Sequence, residues 1–243
     1  MANYISNMPT WVIVLFIAGF LYSIAFIANP AKQAALNAGM TANKASNIQF
    51  SIFAFYIIYL AYISILSLKG VFYIYSLPPK IIIFATIPLT IILFVIVGNT
   101  RLFKKLLQSI TLESLITLHI FRLLGVFFIL LYFYHLLPAD FAFSAGMGDI
   151  ITALFALPVA KMVAKEKSWS IKAVYAWNIF GMLDIVTLLV IAVINARNAI
   201  ITGGHGDLEM TIFPFVWFPA FAPVTILFLH TVIFRKLRQI KTK

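Results

Sequence analysis

The chain has 243 residues, of which 63% are hydrophobic and 10% charged, with a mean hydropathy of +1.04. Soluble domains average about 45–50% apolar and about 25% charged residues, so this composition points to lipid as solvent. Cysteine is absent, which excludes a disulfide framework, thiolate-held zinc, an iron–sulfur cluster and a cysteine nucleophile. The net charge of +11 would suggest nucleic acid in a soluble protein, but its distribution along this chain suggests membrane topology instead.

A spanning helix needs about 20 mostly apolar residues. Seven stretches qualify: Thr10–Ala28, Ile48–Leu68, Ile81–Val97, Ile116–Leu137, Phe141–Ala164, Lys172–Asn195 and Pro214–Phe234. Breakers bound them at Asn29-Pro30, Pro78-Pro79, Gly98-Asn99, Pro138 and Gly203-Gly204. The start, Met1 to Asn7, carries no Lys or Arg; a cleavable signal wants a basic start, so the first stretch reads as a retained helix. The expected fold is an all-α integral membrane protein, one seven-helix domain over 1–243.

Lys and Arg in short loops set orientation. With the N-terminus outside, 14 basic residues face the cytoplasm, 3 (Lys69, Lys80, Arg197) lie outside, and Arg122 falls within a span. The expected topology is therefore N-terminus outside and C-terminus cytoplasmic, in a bacterial inner membrane. The basic tail after Phe234 suits anionic lipid headgroups, at about 1 kcal/mol per basic residue. No nucleic-acid partner is expected. Between spans three and four, Leu102, Phe103, Leu106, Leu107 and Ile110 recur at helical spacing. Arg101–Leu115 thus reads as an amphipathic helix in the cytoplasmic interface, or as a solvated linker helix. Trp11 and Trp217 read as interfacial anchors.

Ionisable groups in hydrocarbon cost at least about 2.5–3.5 kcal/mol near the centre of a span, and persist where they pair or work. Five fall inside the spans: His119 and Arg122 on the fourth, Asp149 on the fifth, Asp184 on the sixth and His230 on the seventh; Asn178 lies near Asp184. A rise of about 1.5 Å per residue sets His119, Arg122 and His230 roughly 5, 9 and 6 Å from the cytoplasmic boundary. The same rise sets both aspartates near the midplane. The expected pattern is two layers, histidines below and aspartates at the centre, with Arg122 between them. His119 and Arg122, three apart, share a helix face. Pro219 and Pro223 are expected to kink the seventh span and free backbone carbonyls. The first three spans carry little polarity and read as scaffold or as a surface for a membrane-protein partner.

These residues admit several chemistries. Two aspartates against one arginine, continued by two histidines, suit a proton- or cation-linked transporter or channel. Arg122 and one aspartate alone would form a structural ion pair fixing helix register. His119 and His230, matched in depth, are possible axial ligands of a haem b, with His135 and His205 as an outer pair. An intramembrane zinc site is disfavoured by the lack of a His-x-x-x-His pair. A non-catalytic sensor or assembly factor is a further alternative, and an enzyme is the less favoured reading. The span count resembles that of microbial rhodopsins, but the last span has no lysine to hold retinal. The outer loop Arg197–Met210, with His205, Asp207 and Glu209, reads as a flexible connector in preference to a weak cation site.

Overall fold

A computed structural model describes residues 4–74, 76–203 and 207–241. Seven of its helices are long and apolar enough to cross a membrane, the architecture of an integral multi-pass protein. In chain order the helices are α1 (Thr10–Asn37), α2 (Ala42–Leu68), α3 (Ile82–Asn99), α4 (Arg101–Ser109), α5 (Leu112–Phe133), α6 (Ala139–Ala164), α7 (Ser170–Thr202) and α8 (Trp217–Lys241). The loops α1–α2, α3–α5 and α6–α7 and the C-terminal end of α8 fall at one end of the bundle, here termed the basic end.

The centre is α8, with 72% of its most apolar window buried, against 22% for α3 and for α7. It touches α2, α3, α4, α5 and α7. Helices α1 and α2 pair on one side, and α6 packs on both α5 and α7 on the other. An aromatic core joins these halves: Phe16 and Phe20 of α1 pack on Phe215, Trp217 and Phe218, and Phe128 of α5 stacks on Phe218 at 4.2 Å. Offset and edge contacts of this kind add stability beyond area burial.

Several boundaries differ from the sequence expectation. Helix α1 runs through Pro30 to Asn37, because Ala34 and Ala35 are buried against neighbouring helices, and packing outweighs the lost amide hydrogen bond. Helix α7 continues to Thr202, roughly 50 Å in all at 1.5 Å per residue. The basic stretch after Phe234 is helical as far as Lys241, and two of its cations serve the fold: Arg235 donates to the Gly98 carbonyl at 3.0 Å, and Lys236 to the carbonyls of Leu107 and Gln108 at 3.0 and 2.9 Å. Those are the orphan acceptors at the C-terminal ends of α3 and α4.

The amphipathic segment is shorter than expected. Thr100 caps α4 by accepting from the Phe103 amide at 3.1 Å. The chain then extends at Ile110, and Thr111 caps α5 in the same way through the Ser114 amide. Residues 112–115 therefore belong to the fourth span. Trp217 is 7% exposed and donates its indole N–H to Ser64 at 2.9 Å, so it is a core residue and not an interfacial anchor. Trp11, 54% exposed, keeps the surface position expected of one.

The segment before α8 is pinned along residues 207–213. Ser6 donates its hydroxyl to Glu209 and its amide to the Phe213 carbonyl, Phe213 donates to the Tyr4 carbonyl, and Ser67 donates to the Thr211 carbonyl. This part is anchored to the N-terminal strap and to α2, contrary to a free connector. Burial pushes the Asp207 carboxyl up to about 6, with the nearby Asp140 charge adding to it. Burial also raises the Glu209 carboxyl, offset in part by the Ser6 hydroxyl. His205 lies outside the described residues.

A buried arginine hub as the candidate functional site

The site begins with a change of winding. Within α5, Leu118–Gly125 is a 3-10 stretch. At three residues per turn, His119, Arg122 and Gly125 fall on one line. Helix α6 crosses at Gly125: a Cβ there would lie 2.6 Å from the Asp149 Cβ and 3.1 Å from the Gly146 carbonyl oxygen. Only glycine permits this approach, which brings Asp149 within reach of Arg122.

Arg122 is 1% exposed. Its Nε donates to Asp149 Oδ1 at 2.6 Å, its Nη2 to Asp184 Oδ2, and its Nη1 to the Gly181 carbonyl at 3.3 Å. Nη1 also lies 3.2 Å from His230 Nε2. A guanidinium has five N–H donors and no acceptor. It follows that His230 Nε2 accepts, and that its proton sits on Nδ1, which faces Asn178 Oδ1 at 2.8 Å. Asn178 in turn donates its amide to the His230 carbonyl at 3.2 Å. His230 is thus a neutral imidazole with both nitrogens engaged.

Asp184 reaches Arg122 through a gap in α6. A Cβ at Gly148 would overlap the Asp184 carboxylate, at 1.6 Å from Oδ1. The Asp184 side chain keeps 10% of its exposure and that of Asp149 keeps 5%, so Asp184 is the less buried of the two. Beside Arg122 and Asp149 lies a void of about 10 Å³, close to the size of one water, lined also by Phe20 and Ser23. Helix α1, expected as scaffold or partner surface, therefore also lines the site.

His119 is fully buried, and neither ring nitrogen has a hydrogen-bond partner among the described residues. Its ring lies 4.1 Å from that of His230, tilted by 35°, and meets the Trp177 edge at 5.1 Å. Trp177 donates its indole N–H to the Thr152 carbonyl at 3.0 Å, tying α7 to α6. Helix α2 ties to α8 here: Tyr59 donates to the Ala220 carbonyl at 2.9 Å, and the Tyr56 hydroxyl lies 3.3 Å from that of Thr225.

The structure thus gathers all six sequence-flagged residues, His119, Arg122, Asp149, Asn178, Asp184 and His230, into one contiguous cluster. The two expected layers are joined by the arginine. The haem expectation fails on this geometry. Axial imidazoles aim nitrogens at one another across a macrocycle, whereas these rings lie against each other and both His230 nitrogens are taken. His135, the outer candidate, sits exposed in the turn after α5. Among the described residues no group of three His, Cys, Asp or Glu side chains is placed to hold a metal ion.

A family model described as a domain of unknown function, DUF8737, matches residues 77–238. The chain belongs to this family. The DUF8737 stretch holds α3 to α7, α8 up to Arg238, and every member of the cluster, while α1 and α2 precede it. No curated protein and no solved structure matches the chain.

Proposed function

We propose that this protein is a proton-linked transporter or channel of a bacterial inner membrane, with its N-terminus outside and its basic end in the cytoplasm. The orientation rests on the 14-to-3 distribution of basic residues. The functional reading rests on one observation: a single buried guanidinium faces two carboxylates.

With His230 neutral, Arg122 balances one aspartate and leaves one negative charge over. An uncompensated charge in a dry core is too costly to keep. A proton on one carboxyl, or a cation beside it, removes that cost. Asp184 is the group that exchanges, being the less buried of the two. Its protonation weakens its hold on Arg122, while Asp149 keeps the other side of the guanidinium. Asn178, His230 and His119 continue the polar path toward the basic end. His119 brings a ring with no bond to break before it takes part.

Proteoliposomes carrying a trapped pH indicator test this reading. Under an imposed proton gradient and potential, the wild type is expected to pass protons, and Asp184→Asn to stop the flux while staying folded and monodisperse. A wild type that is silent under gradients of either sign overturns the proposal.

A second reading is supported by the saturation of Arg122, which uses four of its five N–H groups. A donor set so fully engaged suits a structural clamp across α5, α6, α7 and α8. It predicts that Asp184→Asn fails to fold.

A further inference from the structure

A second cavity lies between α1, α2, α3, α4, α5 and α8 toward the basic end. Its volume is about 530 Å³, within the roughly 300–1,000 Å³ typical of ligand pockets. Among the described residues no charged side chain lines it; the walls are side chains such as Ile27, Ile52, Ile92, Leu106 and Phe228. Along α2 it extends from Asn47 to Tyr56, about 14 Å at 1.5 Å per residue. Its polar lining is sparse, and the Tyr56 and Thr225 hydroxyls face each other at its inner end. Water in such a space lacks the two to four polar partners it needs, so the cavity suits hydrocarbon.

Its walls show how hydrocarbon would enter. Helix α3 packs chiefly on α8 and scarcely approaches α2, which makes the α2–α3 seam the lateral route we assign to hydrocarbon. Two π-helical stretches, Ile82–Thr86 and Ile91–Ile96, surround Pro88, so this wall is wound less regularly than the others. Helix α4 closes the basic end with Leu102, Phe103, Leu106 and Leu107 turned to the cavity. Arg101, Lys104 and Lys105 on the same helix are exposed, as is Lys44, three residues before Asn47 on α2. A neutral apolar interior, with exposed cations on the outer face of α4 and at Lys44, suits an amphiphile with an anionic head.

We propose that this cavity binds one acyl chain of an anionic phospholipid drawn from the leaflet at the basic end, with its headgroup held by Arg101, Lys104 and Lys105. The site is independent of the proton reading and stands or falls apart from it.

Native mass spectrometry of the full-length protein, delipidated and then offered phosphatidylglycerol or phosphatidylcholine, tests the assignment. One phosphatidylglycerol per chain is expected to survive detergent stripping, in preference to phosphatidylcholine. Ser51→Trp and Ile92→Trp, on facing walls, should each lower its retention by about tenfold or more. The double change Lys104→Glu and Lys105→Glu, on exposed positions that leave the core intact, should abolish the headgroup preference. Equal retention of both lipids by the wild type overturns the proposal. So does undiminished retention in both tryptophan variants, or the capture of a free fatty acid in place of phospholipid.

Discussion

Arg122 Nη1 and His230 Nε2 face each other at 3.2 Å, and because a guanidinium only donates, the imidazole must accept. That one contact fixes the His230 tautomer, keeps the ring neutral and orients Asn178. It also places the arginine between the acidic and histidine halves of the cluster.

Removing the imidazole should leave Arg122 Nη1 with the Gly181 carbonyl alone and Asn178 Oδ1 without its donor. His230→Phe is expected to lower stability by about 1–3 kcal/mol, the cost of unsatisfied buried polar groups. Asn178→Ala should cost less, and the double variant much less than the two together, since both break one network. Unfolding in mild detergent followed by circular dichroism checks the cycle.

Gly148 gives way to the Asp184 carboxylate, so Gly148→Ala should push that side chain off Arg122. The variant is expected to match Asp184→Asn in any flux assay. Combined with Asp184→Ala, which empties the contested space, Gly148→Ala should add almost no further loss of stability. Full additivity in thermal melts would argue against the clash.

His119 presents the opposite case. Its ring nitrogens are buried and unbonded, so replacement by an apolar side chain removes a desolvation cost. His119→Leu is predicted to be as stable as the wild type or more so, yet slower in proton flux. A loss of both would make the residue a packing element.

The strap at the opposite end gives a pH signature. Burial raises the folded-state Asp207 carboxyl from 3.8 to about 6, so the folded protein holds the proton more tightly than the unfolded chain does. Stability from this group is therefore full below the unfolded value and is lost as pH rises through about 6. Asp207→Asn should raise the melting temperature at pH 7.5, with the difference vanishing near pH 4. Melts of both proteins across that range measure it.

The seven spans, the basic asymmetry and the membership of the cluster were legible in the sequence, because hydropathy and the rarity of charge in hydrocarbon report them directly. The 3-10 alignment of His119 with Arg122 agreed with their spacing of three. What was not legible was rotation. A helix that is apolar on all sides does not reveal which face meets protein and which meets lipid. Hydropathy therefore reads Trp217 as an interfacial anchor and α1 as scaffold or partner surface, and it does not reveal the cavity under α4. Depth, a one-dimensional estimate, placed two histidines at one level but could not say that their rings lie against each other. The helices overran their expected ends at Pro30 and beyond Asn195 because tertiary packing, absent from any local pattern, decides whether a last turn holds.

The central claim is that two carboxylates share one arginine and that the remaining charge is met by an exchangeable proton. Infrared difference spectroscopy on the reconstituted protein reads this most directly. The wild type should show a protonated carboxylic-acid carbonyl band that shifts in deuterated water, titrates with pH and is absent from Asp184→Asn. A spectrum with both carboxyls ionised throughout, unchanged in that variant, would contradict the claim.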